Sequence, residues 1–345
     1  MIATEFDGTL GSLVGFYQTE PYSTFHKLRY QSRLNSIRVS RIIINERGTV
    51  RLEDIKARDI LGWYEEWTKR GVSMAHSLMG KIRTVINFGA DFLETDKDKE
   101  TCERVAAILH RRKFKLPARR EEVILLDQVI AVRRMLHAMG WHSVARTCAF
   151  QFELMLRQKD CIGEWIPKGE PGESDVVRGD FKWMCGIRWS EIDSQLVIHH
   201  TTSKRGKDIH VDLKQAPMVL EELLALAPGL LNEDGAVNRH LLPASGPVIR
   251  SEATGYPFEA VQFRTVWRKA ARLAGVPDTV KSMDHRAGAI TEATGAGASL
   301  EHVRHAATHS NITTTQGYSR GAIEKTAEVQ RIRNESRSKK LAAAE

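Results

Sequence analysis

Apolar residues in the first hundred positions recur three or four residues apart, the spacing that one buried face of an α-helix requires. The stretch "GTVRLEDIKARDILGWYEEWTKRG" shows this spacing up to Gly71, and "SMAHSLMGKIRTVINFGADFL" shows it again up to Leu93. The polar positions between them carry several lysines and arginines. We therefore expect the region from about Gly8 to Leu93 to be helical throughout. The apolar positions that support this prediction are Leu52, Ile55, Ile60, Leu61, Trp63, Leu78, Ile82, Val85, Ile86 and Phe92.

A strongly charged stretch follows Leu93 and ends in the basic segment "HRRKFKLPARR", His110 to Arg120. This segment contains six lysines and arginines, one proline and no acids. Basic runs are most often simply solvated, but one that lies at a domain boundary can follow the backbone of DNA as a linker. We place that boundary near Leu116–Pro117, which gives a domain of residues 1–117 that includes the basic linker and a second domain of residues 118–345.

The pattern of the second domain mixes helices with a short hairpin. "VILLDQVIAVRRMLHAMG" and "SVARTCAFQFELML" have the periodicity of two helices, and "APMVLEELLALA" and "EAVQFRTVWRKAARLAG" predict two more. Between these pairs, "QLVIHHTTSKRGKDIHVDL" predicts strands at about 195–202 and 208–213, joined by a turn at Lys204–Lys207 that contains Gly206. The sequence therefore predicts a mostly α N-terminal domain and an α+β second domain with helices around a small antiparallel β-sheet.

Composition narrows the class of protein. The chain has 345 residues, of which 42% are hydrophobic and 27% charged, as expected for two globular domains. No apolar run reaches the roughly 20 residues that span a bilayer, and the first residues carry acids instead of a basic signal region, so we expect a cytoplasmic protein without membrane partners. The four cysteines are scattered and form no CxxC pair, which argues against a disulfide framework or a zinc site. A net charge of +8 and a pI of about 9.3 favour a polyanionic partner.

Residues whose side chains can take part in catalysis are concentrated between Ser282 and Gly321. Asp284 is a suitable N-cap residue, which puts Arg286 in the first turn of a helix, where backbone N–H groups already attract anions. Glycines end that helix, and a following helix, "LEHVRHAATH", ends at His309. Tyr318 comes nine residues later. An arginine, a histidine and a tyrosine, each at the end of an element, can therefore converge on one point.

The segment "HSNITTTQGYSRG" is unusual in its own right. Its three consecutive threonines are β-branched and disfavour a helix interior. Tyr318 is not surrounded by apolar residues at helical or strand spacing, so the pattern does not assign it to a hydrophobic core. We therefore expect Tyr318 to have a chemical role.

These residues resemble the tyrosine recombinase, or phage integrase, family. The family pattern is His-x-x-Arg, then a Gly-His pair some two dozen residues later, then Thr-Thr-x-x-Tyr. This chain has Arg286, His309 after a further 23 positions, and Tyr318 behind two threonines. "TSKRGKDIHVDL" is similar to the family's β-hairpin, "GIRWSEID" to the segment before it, and the first domain to the family's core-binding domain. The resemblance implies that Lys204 is the catalytic lysine.

The residue types suit DNA cleavage and rejoining. A tyrosine hydroxyl, with an ordinary pKa of about 10, can store the energy of a phosphodiester bond as a phosphotyrosyl ester once positioning and proton removal assist it. Arginines donate in planar forks to the non-bridging oxygens of a phosphate. Lys204 would protonate the leaving oxygen, and His309 would donate to the phosphate or assist proton transfer. The resemblance implies a 3′-phosphotyrosyl intermediate at Tyr318, with no metal or nucleotide cofactor.

Two residues compete for the place of the family's first arginine. Arg157 follows a predicted helix and has Asp160 three residues on, while Arg188 has Glu191 three residues on. Arg188 lies 16 positions before Lys204, which leaves room only for the strand lead-in. Arg157 needs an insertion before the hairpin, and "IPKGEPGESDVVRGD" has the Gly, Pro and Asp content of one. We prefer Arg157, with Arg188 as the alternative.

The chain departs from the family pattern at Met283, where the family has the histidine of His-x-x-Arg. This departure is the main support for an alternative function, a catalytically impaired DNA-binding protein on the same scaffold. A metal-dependent nuclease is disfavoured because His199 and His200 are adjacent on a strand and point to opposite faces.

The resemblance also implies partners. Exchange of two duplexes requires double-stranded DNA attachment sites and four protomers, and a directionality factor is a further possible partner. The segment "AIEKTAEVQRIRNE" has the spacing of an amphipathic helix that could dock on a neighbouring protomer or pack on its own domain.

Overall fold

The computed structural model describes residues 5–318, 330, 331, 333 and 334. The chain divides into two compact units, Met1–Arg120 and Glu121–Glu345. No helix among the described residues is long and apolar enough to cross a membrane.

Five α-helices form the described part of the first unit. The longest, α4, packs against all of the others, because its buried side, which includes Leu78, Ile82 and Ile86, runs along the helix at three- and four-residue spacing. Trp67 of the third helix and Ile43 of the second fill the same core. The helices are α1 (Leu10–Thr19), α2 (Tyr30–Arg47), α3 (Ala57–Thr68), α4 (Val72–Phe92) and α5 (Asp96–His110).

Helix α5 lies in the charged stretch for which the sequence pattern gave no helix. Thr95 caps its first turn by accepting from the backbone N–H of Asp98. Its buried side consists of Cys102, Val105 and Leu109, three residues at helical spacing among many charged neighbours. The narrow apolar stripe suffices because it packs against α4, which is buried along most of its length.

The basic segment that follows is partly anchored to the first unit. The Phe114 ring lies 4.6 Å from that of Tyr64, and the Arg83 guanidinium lies 5.1 Å from the Phe114 ring. The Tyr64 hydroxyl donates to the carbonyl of Lys115 over 3.0 Å. Residues 111–125 have no regular secondary structure, but these contacts fix the beginning of the segment.

The second unit is built around helix α7, in which residues 143–152 are all buried. Helices α6, α8, α9, α10 and α11 pack against it. Large side chains such as Phe150, Phe263 and Trp267 fill the core between them. The helices of this unit are α6 (Leu126–Ala138), α7 (His142–Glu153), α8 (Gln158–Ile162), α9 (Pro217–Leu226), α10 (Ala260–Leu273), α11 (His285–Gly295), α12 (Leu300–Ala306) and α13 (Ile312–Tyr318).

Two small antiparallel sheets accompany these helices. Strands β4 (Val197–Thr201) and β5 (Asp208–Asp212) form the predicted hairpin, and Gly206 in its turn has φ +60°, in the left-handed region that favours glycine. The predicted α+β class of this unit is thereby confirmed. The other sheet consists of β1 (Glu164–Pro167), β2 (Val177–Arg178) and β3 (Phe181–Met184) in the order β1-β3-β2.

The β1–β3 sheet occupies the segment that the sequence marked only as an insertion. A single buried lysine organises its loop, because the Lys182 ammonium donates to the carbonyl oxygens of Lys168, Glu170 and Gly172. Burial of a charge is tolerated here because three acceptors replace its water shell. The Trp183 indole N–H donates to the carbonyl of Ile162 over 2.8 Å and ties the sheet to the end of α8.

Candidate active site

Arg157 stands at the start of α8, next to a buried carboxylate. Asp160 is fully buried, and its Oδ2 accepts the backbone N–H of Arg157 at 3.3 Å and lies 3.7 Å from an Arg157 guanidinium nitrogen. Its other oxygen accepts the backbone N–H of Ser203 at 2.8 Å. Asp160 therefore connects Arg157 to the tip of the β4–β5 hairpin. The side chain of Arg157 remains 26% exposed, so a ligand can reach it.

Arg286 lies in the first turn of α11 and is almost completely buried. Its guanidinium donates to two backbone carbonyls, those of Met155 and Ala307. These two bonds set the plane of the guanidinium between the end of α7 and the end of α12.

Both carbonyls belong to strained parts of the backbone. Met155 has φ +52°, and so does Thr308, which follows Ala307. Such angles are unfavourable for residues with a side chain, and they persist only where the surrounding contacts hold them. The Arg286 guanidinium supplies such a contact at each place.

His309 follows directly and is buried, with 5% of its surface exposed. Its Nδ1 lies 3.0 Å from the Oγ1 of Thr315, which is itself fully buried. The backbone N–H of His309 donates to the carbonyl of Arg304, so both the main chain and the imidazole of this residue have a hydrogen-bond partner.

The pKa of His309 is lowered from its ordinary 6.5 to about 4. Burial is the main cause because it disfavours the charged imidazolium, and the positive charges of Arg286 and Arg157 add to it, followed by those of Lys207 and Arg205. His309 is therefore neutral at pH 7. A neutral imidazole can accept the proton of a nucleophile or donate to a phosphate oxygen, according to the tautomer that Thr315 selects.

The threonine run forms helix α13, although β-branched residues disfavour helices. The Asn311 side chain accepts the backbone N–H of Thr313 at 2.9 Å and caps the first turn. The buried Thr315 then fixes the helix to His309. Tertiary contacts therefore override the low helix propensity of this segment. Tyr318 is the last residue of α13, and its side chain lies outside the described residues.

Two lysines in the hairpin turn have different surroundings. Lys204, the residue predicted as the catalytic lysine, is exposed. Lys207 is half-buried, and its ammonium donates to the carbonyl of His309 over 3.4 Å. Arg205 donates to the hydroxyl of Ser310. Sequence reasoning missed both Lys207 and Arg205, since a basic residue in a turn carries no signal of what it contacts a hundred residues away.

Arg188 belongs to a different part of the second unit. It pairs with Asp175, donates to Ser174 over 3.3 Å, and lies 5.1 Å from the Trp183 ring. It is thus engaged in holding the inserted sheet. The residues brought together around His309 include Arg157 and Arg286.

The neighbourhood of Met283 differs from that of the buried residues. Met283 is 60% exposed in the short 3₁₀ turn before α11. His285 is fully buried, its Nδ1 donates to the carbonyl of Ser282 at 2.8 Å, and its ring lies 5.7 Å from that of Trp267. His285 therefore serves the core of the unit and does not replace the missing histidine.

Two further predictions concern a metal site and the amphipathic helix near the end of the chain. Among the described residues, no group of three or more histidines, cysteines and carboxylates could hold a metal ion. The predicted amphipathic tail, with Ile323, Ala327, Val329 and Ile332, lies outside the described residues.

Part of the second unit is similar in sequence to a known family. Residues 182–324 match the sequence description of the phage integrase family. No curated protein sequence matches the chain.

Solved structures match the chain over nearly its whole length. A lambda integrase dimer bound to a COC′ core site aligns with a TM-score of 0.66 and 13% identity, covering 91% of this chain and 96% of that one. A lambda integrase tetramer bound to a Holliday junction aligns with a TM-score of 0.63 and 13% identity, covering 88% and 78%. The Tn1549 transposon integrase in complex with circular intermediate DNA aligns with a TM-score of 0.59 and 13% identity, covering 93% and 98%.

At this level of identity the solved structures establish the fold alone, and the sequence match is confined to residues 182–324. The helix-rich chain with its small antiparallel sheets has the integrase fold, and residues 182–324 of its second unit are similar in sequence to the phage integrase family.

Proposed function

We propose that this protein is a site-specific DNA recombinase that cleaves and rejoins duplex DNA through a 3′-phosphotyrosyl intermediate at Tyr318. The observation that carries the proposal is the convergence of Arg157 and Arg286 on a buried, neutral His309. Thr315 of α13 binds the same imidazole, and α13 ends at Tyr318.

The two arginines are suited to hold the scissile phosphate. Each guanidinium is oriented by protein contacts before substrate arrives, Arg157 beside Asp160 and Arg286 between two carbonyls. Preoriented donors of this kind stabilise the extra negative charge that develops on the non-bridging oxygens in the transition state. With such donors and no high-energy cofactor, the bond energy passes from the DNA phosphodiester to the tyrosyl ester and back.

His309 and Lys204 would carry out the proton transfers of the cleavage step. His309, neutral at pH 7, can take the proton of the Tyr318 hydroxyl or donate to the phosphate. Lys204 is exposed in the hairpin turn, where its ammonium can reach a bound duplex and protonate the leaving 5′ oxygen.

The partners that we propose are double-stranded DNA attachment sites and three further copies of this chain. Structural neighbours of this fold are integrases bound to DNA as a dimer and as a tetramer. The net charge of +8 favours a polyanionic partner such as DNA. We also propose a directionality factor as a partner, and only the resemblance to the tyrosine recombinase family supports it.

One observation favours a second candidate function, that of a DNA-binding protein with impaired cleavage. Met283, at the position of the family histidine, is exposed and carries no strong hydrogen-bond donor. One donor to the phosphate is then missing, which lowers the rate of cleavage by roughly 100-fold or more if no other group supplies it.

A covalent trapping assay tests the proposal. Wild type and Tyr318→Phe are incubated with a nicked suicide substrate that carries the attachment site from the flanking genome, and the products are separated on a denaturing gel. The proposal expects a shifted adduct with wild type and none with the variant. Binding of the site by both proteins without any adduct would contradict it and support the DNA-binding alternative.

A further inference from the structure

The tip of the β4–β5 hairpin is attached at two places to the segment that leads into α13. Arg205 donates to the Ser310 hydroxyl, and Lys207 donates to the His309 carbonyl over 3.4 Å. The two pairs join residues that are 105 and 102 positions apart in the chain. Ser310 and His309 lie two and three residues before the start of α13, the helix that ends at Tyr318.

Hydrogen bonds within the hairpin tip, and from the tip to Asp160, hold its backbone in place. The backbone N–H of Thr202 donates to the carbonyl of Lys207 at 2.8 Å, and that of Gly206 donates to the carbonyl of Thr202 at 3.0 Å. On its other side the tip is fixed by the bond from the Ser203 N–H to the buried Asp160. The same carboxylate lies beside Arg157, so the tip bridges the element of Arg157 and the segment of His309.

From this arrangement we propose that Arg205 and Lys207 are positioning residues, which clasp the hairpin tip to the His309–Ser310 segment and so align Lys204, His309 and α13 for one reaction. This inference rests on the proposed function and adds two residues to it. Lys204 is exposed whereas Lys207 is half-buried, so of the two turn lysines Lys204 is the one left accessible to a bound duplex.

The electrostatics around His309 agree with this role. The charged groups that lower its pKa come from α11 (Arg286), from the start of α8 (Arg157) and from the hairpin tip (Lys207, then Arg205), while Arg304 of α12 donates to the His309 carbonyl. Lys207 and Arg205 therefore add two positive charges near His309 to those of Arg286 and Arg157, the two residues proposed to hold the phosphate. Loss of Lys207 removes one of these charges, and we expect the pKa of His309 to rise.

The experiment separates positioning from proton donation by changing the leaving group. Single variants Lys204→Met, Lys207→Met, Arg205→Met and the conservative Lys207→Arg are compared in the full chain on two nicked substrates. One substrate has the ordinary 5′ oxygen at the scissile phosphate, and the other has sulfur there. A thiol has a pKa of about 8.5 and leaves without receiving a proton.

We expect Lys204→Met to lose on the order of 100-fold or more in cleavage of the oxygen substrate and to recover on the sulfur substrate. Lys207→Met and Arg205→Met should lose roughly 10- to 100-fold on the oxygen substrate and keep a clear part of that loss on the sulfur substrate, because a better leaving group replaces a misaligned Lys204 but does not repair the alignment of His309 and α13. Lys207→Arg should restore most of the activity, because a guanidinium can also donate to the His309 carbonyl.

A second readout does not need catalysis. Histidine NMR titration of wild type and Lys207→Met, with His309 assigned by His309→Gln, should show a higher pKa for His309 in the variant. Full recovery of Lys207→Met on sulfur would overturn the proposal, because Lys207 would then serve proton donation alone and not the alignment of His309 and α13. Full activity of both clasp variants with an unchanged His309 pKa would also overturn it.

The two levels of proposal can fail separately. If wild type forms no adduct with either substrate, the recombinase function fails, and the titration still decides whether Lys207 acts on His309.

Discussion

The two units of this protein differ in what they bury. Among residues 5–120, the buried polar side chains are uncharged serines and a glutamine, and the core between the helices is apolar. The second unit buries many ionisable groups, several of them within its helical core. They are Arg133, Arg146, Asp160, Lys182, His200, Glu222, Asp284, His285, Arg286 and His309.

This difference separates two ways of making a fold. A unit with an apolar core depends on burial of hydrophobic area, which is non-directional and tolerant of small shifts. A unit with buried charges requires each charge to meet its partner at a fixed distance, because an unpartnered charge in the interior is strongly destabilising. The second unit contains such buried charges, and the contacts that hold them also orient the arginines and the histidine of the candidate site.

The largest effect that we expect comes from a buried ion pair far in sequence from that site. Glu222 is 1% exposed and accepts from Arg133 at 2.7 Å and from His137 at 2.9 Å. Glu222→Ala leaves the buried Arg133 without its main partner and should lower the free energy of unfolding by about 3–5 kcal/mol.

The matched control is Glu221→Ala, which removes a carboxylate that contacts the same arginine at 2.8 Å but is 70% exposed. It should cost about 1 kcal/mol or less. Urea unfolding of the full chain measures both. Equal effects would mean that burial of the charge is irrelevant. The second unit would then not depend on its buried ion pairs in the way that we infer.

The next effect concerns the geometry of a buried arginine. Arg286→Lys keeps a positive charge but cannot bridge the carbonyls of Met155 and Ala307 with one planar group. We expect adduct formation to fall by about 100- to 1,000-fold. Affinity for DNA, measured by gel shift at the same salt concentration, should change little, because phosphate contacts elsewhere supply most of it.

Arg264→Lys, on the exposed side of α10, is a suitable control and should retain activity. An Arg286→Lys variant that forms the adduct at the wild-type rate would show that charge alone is needed at this position.

A third effect is the pH dependence of stability. Burial lowers the pKa of His285 from 6.5 to about 4, as it does that of His309. Because the unfolded chain binds these protons first, each histidine contributes stability that is complete above about pH 6.5 and is lost as the pH falls through about 4. The loss is on the order of 3 kcal/mol for each group.

His285→Asn isolates one of these contributions, because asparagine can donate to the Ser282 carbonyl but does not titrate. Urea unfolding at pH 7 and at pH 4.5 should show a smaller loss of stability in the variant than in wild type. The comparison within one pH series cancels the carboxylates, which titrate in both proteins. Parallel losses in the two proteins would mean that His285 is not held neutral by burial.

The smallest expected effect tests the departure from the family pattern. Met283 is 60% exposed, so Met283→His should leave stability unchanged. If the missing histidine limits cleavage, the variant should form adduct faster by up to roughly 100-fold, which corresponds to about 2.7 kcal/mol in the barrier. Met283→Gln provides the control for polarity alone. An unchanged rate in Met283→His would show that another group already fulfils this role.

Local pattern alone predicted much of the molecule. The helices with broad apolar faces, such as α4 and α7, and the hairpin around Gly206 follow from periodicity and turn chemistry, which depend only on neighbouring residues. The order of Arg286, His309 and Tyr318 along the chain, and the family that it resembles, could also be recognised without coordinates.

Tertiary structure decided what depends on distant partners. Helix α5 and the threonine helix α13 contradict their local signals, because one packs a narrow stripe on α4 and the other is fixed to His309 by Thr315. In the inserted segment, Lys182 of strand β3 binds three loop carbonyls, a set of contacts that no local pattern indicates.

The same reason separates the basic residues of the candidate site. Arg157 and Arg188 each have an acidic residue three positions on, and Lys204 and Lys207 share one turn. Only the fold brings Arg157 to His309 and Arg188 to Asp175, and only the fold buries Lys207 against a carbonyl 102 residues away. The sequence determined which residue types are available for chemistry. Their assignment to positions required contacts between residues whose separation along the chain leaves no local trace.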